Sequence, residues 1–160
     1  MSCGRNPGYR APVGSPAYDR FWGLALRVTR SAHHVLDRVS GGRLGKTFPG
    51  GAQVVWIHTL GRKSGLWRRT ALLAAPDGDG WVIAGSNAGQ EQVPAWVHNI
   101  RAHPQGQLEI DRVPREVTFT ELEGDERARA YATLVDDWGA FAMYERNAQR
   151  TIPVFRITLD

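Results

Sequence analysis

The chain has 160 residues, a formal net charge of +4 and 42% hydrophobic residues. This length suits one domain with a substantial apolar core, and the apolar content excludes disorder for most of the chain. No apolar run reaches the ~18 residues that span a bilayer, and the single cysteine, Cys3, excludes a disulfide framework and a cysteine-based metal site.

The N-terminal part divides into two predicted segments. Residues 1–16 are rich in Gly, Pro and Ser and predict a flexible tail, and the absence of a signal-peptide apolar region predicts a cytoplasmic protein. Residues 17–46 predict an amphipathic helix followed by a loop. Residues 1–46 hold eight Lys and Arg against two Asp, a net of +6, so the remainder carries −2. This basic segment has two interpretations: a solvated helix face, or a peripheral contact with an anionic membrane.

The remaining two thirds of the chain alternate between short β-prone runs and turn signals. The pattern predicts six strands, at residues 53–60, 66–75, 81–86, 106–110, 115–122 and 152–159. It also predicts a short helix between Pro94 and Pro104, and helices at 123–138 and 139–149. Short strands with few helices indicate an α+β, mainly β fold, in which residues 47–160 form one antiparallel barrel domain with peripheral helices.

The stretch GRKSG, residues 61–65, lies between the first two predicted strands and predicts a hairpin turn. The spacing of its glycines excludes a Walker A loop. The turn and the returning strand carry a hydroxyl and four cations, of which the last two point to opposite faces: Ser64, Arg62, Lys63, Arg68 and Arg69. Because four like charges this close repel one another, we expect a phosphate or polycarboxylate ligand; the alternative is a hydrophilic hairpin.

Two further segments carry polar groups suited to a ligand. Ser86 and Asn87 follow a predicted strand, where they either grip a ligand or cap the next element. Trp96 and Asn99 are three residues apart on one helix face, which places an aromatic ring beside an amide, although such a Trp also suits the core. The five histidines show no metal-ligand spacing, so no metal site is predicted. The near-neutral body argues against nucleic-acid binding.

These motifs together resemble the deazaflavin-dependent nitroreductase family of actinobacteria. The resemblance covers about residues 50–158 and rests on GRKSG, the strand-end Ser86, the Pro-x-Trp-x-x-Asn helix and the Arg-Thr-Ile-Pro sequence at 150–153. It implies a split β-barrel of the FMN-binding type that uses coenzyme F420 in preference to FMN. The implied reaction is hydride transfer from reduced deazaflavin to a small electron-poor acceptor, namely a quinone, enone or nitroaromatic. The alternative is a non-catalytic deazaflavin or lipid carrier of the same fold, and the oligomeric state stays open.

The resemblance also implies roles for individual residues. Ser86 and Tyr144 are the implied catalytic donors. The acceptor pocket is expected to be apolar, because Trp138 and Phe141 stand beside Tyr144 where family members carry tyrosines; Ala88 likewise replaces a common glycine. The implied cofactor-binding residues are Arg62, Lys63, Ser64, Arg68, Arg69, Thr70, Ala71, Leu72, Leu73, Ala84, Gly85, Ser86, Asn87, Ala95, Trp96, Val97, His98 and Asn99.

Overall fold

The computed structural model describes residues 53–160, so the predicted tail and basic helix lie outside the described residues. Residues 53–160 form six strands and three helices, each ending within two residues of its predicted bounds. In chain order these are β1 (Gln53–Leu60), β2 (Trp67–Asp77), β3 (Gly80–Ala84), α1 (Ala95–Ala102), β4 (Gln105–Ile110), β5 (Val113–Leu122), α2 (Gly124–Asp137), α3 (Phe141–Ala148) and β6 (Val154–Leu159). None of these helices is long and apolar enough to cross a membrane.

The strands close into an antiparallel barrel in the order β1-β2-β3-β6-β5-β4. β1 and β4 close it, with Ile57 opposite Leu108. The barrel confirms the predicted mainly β fold. Closure pairs every strand with two neighbours, but β3 pairs only with the end of β2 from Ala74 to Asp77, so residues 67–73 pair with β1 alone among the described strands.

The barrel interior is filled by alternate residues of the strands and by α1. Val55 and Ile57 of β1 are fully buried, and α1 inserts Trp96 and Ile100 against them. The Trp96 ring packs edge-on to Phe155 at 5.6 Å between centroids. Burying side chains of this size contributes roughly 1.5–3 kcal/mol each. This packing fixes α1 at one mouth of the barrel.

A second apolar cluster lies where α2 and α3 cover the outer side of the sheet, including Val82 and Val154. The Tyr131 hydroxyl of α2 donates to the carbonyl of Phe141 at 2.8 Å, and burial raises the pKa of this phenol. Arg127 reaches from α2 to Glu145 of α3 at 2.6 Å. These bonds hold α3 beside the segment that follows β3.

Candidate cofactor site

The predicted hairpin turn is confirmed between β1 and β2. The carbonyl of Gly61 accepts hydrogen bonds from the N–H groups of Ser64 (3.1 Å) and Gly65 (2.8 Å), and the N–H of Gly61 donates to Leu66 (2.9 Å). Gly65 has φ 62°, a left-handed conformation that suits glycine. This compact turn leaves every residue from 62 to 68 exposed. The cations at its tip therefore face solvent.

Asn99 of α1 fastens this turn to the barrel. Its Oδ1 accepts the backbone N–H of Arg62 at 3.1 Å, and its Nδ2 donates to Oγ1 of Thr59 at 3.3 Å. Asn99 is 8% exposed and Thr59 is fully buried. Since buried polar groups are costly when unpaired, this amide specifies where the hairpin lies relative to α1. Trp96, the other half of the predicted pair, serves mainly as core.

We expect Asn99→Leu to weaken cofactor binding by about tenfold, because it leaves the Arg62 N–H and the Thr59 hydroxyl without their shared partner and frees the turn. The measurement is a ligand titration of both proteins, with F420 as the ligand. Thr59→Val is the matched control, since it removes one bond of Asn99 and keeps the tie to the turn. Equal losses in the two variants would contradict this role of Asn99.

Arg68 and Arg69 point to opposite faces, as strand alternation predicts. Arg68 lies opposite the inward-facing Thr59, and Arg69 lies opposite His58 on the outer face. Arg69 donates to both oxygens of Glu109, at 2.6 and 3.0 Å, and its guanidinium stacks on Trp56 at 3.6 Å. One of the four predicted cations therefore already has a counter-anion within the protein.

Glu109 is shared between two partners, His58 and Arg69. Its Oε2 lies 2.8 Å from Nε2 of His58 as well as 3.0 Å from Nε of Arg69. Burial would raise the pKa of Glu109, but the hydrogen bonds from Arg69 and His58 outweigh it and hold that pKa below its usual range. Glu109 is therefore a carboxylate at neutral pH, which fixes the position of the Arg69 side chain.

The other hairpin cations remain available to a ligand. Within residues 53–160, Arg62, Lys63 and Arg68 have no carboxylate partner. The hydroxyl of Ser64 accepts a long hydrogen bond of 3.5 Å from Arg68, which keeps that side chain close to the turn. Three cations without an internal anion form an electrostatic site for an anionic group.

A cavity of about 970 Å³ lies between the hairpin, β2 and α1. Most of the predicted cofactor-binding residues line it. These are Arg62, Lys63, Ser64, Arg68, Arg69, Thr70, Ala71, Asn87, Ala95, Trp96, His98 and Asn99. Sequence reasoning missed Gly61, Gln92, Val93 and Pro94, which also line it. Val93 and Pro94 could have been included from the sequence, since they directly precede Ala95 and Trp96, which were predicted.

The other predicted cofactor-binding residues do not line this cavity. Strand alternation separates Leu72, which packs on the barrel core, from Leu73, which packs outside against the α2–α3 cluster. Val97 is fully buried in the core, and Ala84 is buried in the outer cluster. Gly85 and Ser86 are the remaining predicted residues that do not line the cavity, and Ser86 is buried, with 8% of its surface exposed.

The predicted acceptor-pocket residues gather in the outer cluster. Phe141 is buried there, and Trp138 and Tyr144 pack against it half-buried. The Tyr144 ring is edge-on to Phe141 at 5.5 Å. The three lie together in one cluster, and none of them lines the cavity.

The segment 85–92, which follows β3, has an unusual backbone. Asn87, Ala88 and Gly89 are consecutive residues with φ of 49°, 55° and 78°. A non-glycine residue in the left-handed region costs roughly 1–2 kcal/mol, so Ala88 is strained where a glycine would be relaxed. Asn87 lines the cavity, and its Nδ2 donates to Gln90 (2.8 Å) and to the carbonyl of Gln92 (3.1 Å).

A six-stranded antiparallel barrel with peripheral helices defines a mainly β, split-barrel protein. Residues 28–158 match the model of the F420H(2)-dependent quinone reductase family, and the chain belongs to this family. An F420H(2)-dependent quinone reductase of Mycobacterium tuberculosis is 32% identical over 131 residues, which cover 79% of this chain and 87% of the relative.

Two solved structures are also similar. An F420-H2 dependent reductase superposes with a TM-score of 0.61 at 28% identity, covering 66% of this chain and 93% of its own. A structure described as a domain-swapped dimer gives a TM-score of 0.63 at 25% identity, covering 90% of this chain and 100% of its own. The resemblance drawn from the sequence is therefore confirmed, and with it the class of enzyme, an F420H2-dependent reductase, and the cofactor, coenzyme F420.

Proposed function

We propose that this protein binds reduced F420 in the cleft between the hairpin and α1 and passes a hydride to a quinone. The observation that carries this proposal is the group of three hairpin cations, Arg62, Lys63 and Arg68, that have no carboxylate partner among the described residues and line a cavity of about 970 Å³. A long anionic cofactor tail would supply the missing counter-charge.

The cleft suits F420 better than FMN. F420 carries a phosphate and a chain of glutamates, whereas FMN carries one phosphate and would leave part of the hairpin charge without a partner. The cavity volume is also near the upper end of the ~300–1,000 Å³ range of small-molecule pockets, as a cofactor with a long tail requires.

Each part of the cleft has a distinct role. The hairpin cations hold the tail and thereby place the ring. Val93, Pro94 and Ala95, beside the buried Trp96, give the ring end an apolar wall that excludes water. The hydride chemistry itself is supplied by the reduced deazaflavin when it is bound. The protein must donate a hydrogen bond or a proton to the acceptor as negative charge develops on it.

Ser86 is the proposed donor to the acceptor oxygen, because it directly precedes the cavity-lining Asn87. Tyr144 is the second candidate, since it lies on α3 behind Gly89. The aromatic group formed by Trp138 and Phe141 next to Tyr144 supports an apolar ring as acceptor, and a quinone is the electron-poor acceptor that fits this description.

A binding titration tests the cofactor assignment. Purified protein should quench deazaflavin fluorescence with a dissociation constant on the order of micromolar, and FMN should bind about tenfold more weakly or worse. The same protein preparation is titrated with both ligands in low-salt buffer, where hairpin electrostatics are least screened. Equal affinity for FMN and F420 would mean that the hairpin cations do not bind the acidic tail of F420.

A further inference from the structure

Arg150, which follows α3, donates hydrogen bonds to four backbone carbonyls of the segment 85–92. Its Nε lies 2.8 Å from the carbonyl oxygen of Glu91 and 3.3 Å from that of Gln90. Its Nη2 lies 2.9 Å from the carbonyl oxygen of Gly85 and 3.3 Å from that of Ser86. One guanidinium therefore bridges the start and the end of the segment 85–92.

The charge of Arg150 is balanced in an unusual way. Among residues 53–160 no carboxylate pairs with it, and burial lowers the pKa of its guanidinium. A half-buried cation without an anion is costly unless dipoles compensate it. Here the compensation comes from the carbonyl oxygens of the segment 85–92, so the charge and the segment's conformation depend on each other.

The segment between these two anchor points needs outside support. Its own turn is held by two backbone bonds, Gly89 N–H to Ser86 (2.9 Å) and Gln90 N–H to Asn87 (3.2 Å). Ala88 is strained in the left-handed region, and such strain persists only where surrounding contacts over-determine it. Arg150 supplies contacts at both ends of that strained turn.

The segment also separates two functional regions. On one side Asn87 lines the cavity. On the other side α3 approaches so closely that a Cβ added at Gly89 would lie 3.1 Å from Cα of Tyr144. A shift of this segment would therefore move Asn87 in the cavity wall and also disturb the contact with Tyr144, one of the predicted acceptor-pocket residues.

We infer that Arg150 is a positioning residue: its guanidinium fixes the strained segment 85–92 so that Asn87 is presented to the cofactor cleft. The inference that this arrangement serves F420 rests on the proposed function, whereas the fixing of the segment does not. The experiment separates these two claims.

The first measurement uses the full chain without ligand. Amide hydrogen exchange is compared between the unmodified protein and Arg150→Lys, which keeps the charge but loses the fork that bridges both anchor points. We expect exchange in the segment 85–92 to rise about tenfold, with the barrel strands unchanged. Arg146→Lys is the matched control, because Arg146 is exposed on the last turn of α3.

The second measurement is a double-mutant cycle on F420 binding. Arg150→Lys should weaken binding by about tenfold, and adding Asn87→Ala to it should weaken binding little further, because Asn87 is already displaced. For Arg146→Lys combined with Asn87→Ala, the fold loss of F420 affinity should equal the product of the losses in the two single variants.

Three outcomes would overturn the inference: unchanged exchange in segment 85–92, an equal rise in every part of the barrel, or multiplied effects of Arg150→Lys and Asn87→Ala. If Arg150→Lys does not fold, Arg150→Gln is measured under the same scheme, and a native barrel with an unprotected segment 85–92 supports the inference. Failure of the unmodified protein to bind F420 overturns the proposed function, while hydrogen exchange still decides the role of Arg150.

Discussion

Lys63→Glu should weaken F420 binding by about tenfold, and the double variant Arg62→Glu, Lys63→Glu by about a hundredfold. Each charge-assisted hydrogen bond to an anion is worth about 1.4 kcal/mol or more, which is the equivalent of a tenfold change, and the new carboxylates also repel the tail. Both side chains are exposed and have no carboxylate partner among the described residues, so the barrel should remain folded. Fluorescence titration at low salt measures the effect.

The control for this experiment is Arg115→Glu, which makes the same charge change on an exposed position of β5 outside the cavity. Its affinity should match that of the unmodified protein. Added salt should lower the F420 affinity of the unmodified protein more than that of the double variant, because the double variant has lost the ionic contacts that salt screens. If the hairpin variants and Arg115→Glu all bind equally well, the anionic tail does not lie at this hairpin.

The elements of the barrel were predictable because their signals are local. The β1–β2 turn is specified by Gly61 and Gly65 within five residues, and the alternation that sends Arg68 and Arg69 to opposite faces follows from strand geometry alone. Each strand therefore lies where its own residues predict it. The sequence predicted a barrel but not which strands pair to close it, and the structure shows that β1 and β4 do.

The electrostatic partners were not predictable, since they join distant parts of the chain. Glu109 is 40 residues from Arg69, and nothing near either residue marks the pair. Repulsion among four cations predicted an external anion, but one of the four is neutralised by this carboxylate. Three cations without a carboxylate partner among residues 53–160 remain, so the predicted anion site is smaller than the sequence indicated.

Arg150 shows the same limit. It lies 65 residues from Gly85, and the sequence marked it as part of a motif without indicating what it holds. The left-handed backbone at Ala88 was not predicted either, because alanine itself does not favour that conformation. Both features depend on how α3 packs against the segment after β3, which pattern reasoning does not resolve.

Site prediction by whole segments overreaches for a physical reason. A resemblance assigns the stretch from Arg68 to Leu73 together, whereas the cavity extends along β2 only as far as Ala71. Thr70 and Ala71 line the cavity, Leu72 packs into the core and Leu73 packs outside. The structure therefore sorts ligand contacts from the residues that support them.

The largest catalytic effect is expected from Ser86→Ala. With menadione as acceptor, kcat for oxidation of reduced F420 should fall by about a hundredfold, the usual cost of removing one hydrogen-bond donor to a developing negative charge. Affinity for F420 should change by less than about twofold, because the hairpin holds the tail. Alanine differs from Ser86 only by the hydroxyl oxygen, so the substitution neither overfills this buried position nor leaves a large cavity. Absorbance of the deazaflavin follows the reaction directly.

Tyr144→Phe is the matched comparison, since it removes the hydroxyl and keeps the ring that packs on Phe141. A hundredfold loss in Tyr144→Phe with full activity in Ser86→Ala would transfer the donor role to Tyr144. If the unmodified protein binds F420 but does not accelerate reduction of any quinone in a panel, neither residue is a catalytic donor to a quinone. The same fold would then serve as a deazaflavin carrier, because the hairpin site for the tail does not depend on turnover.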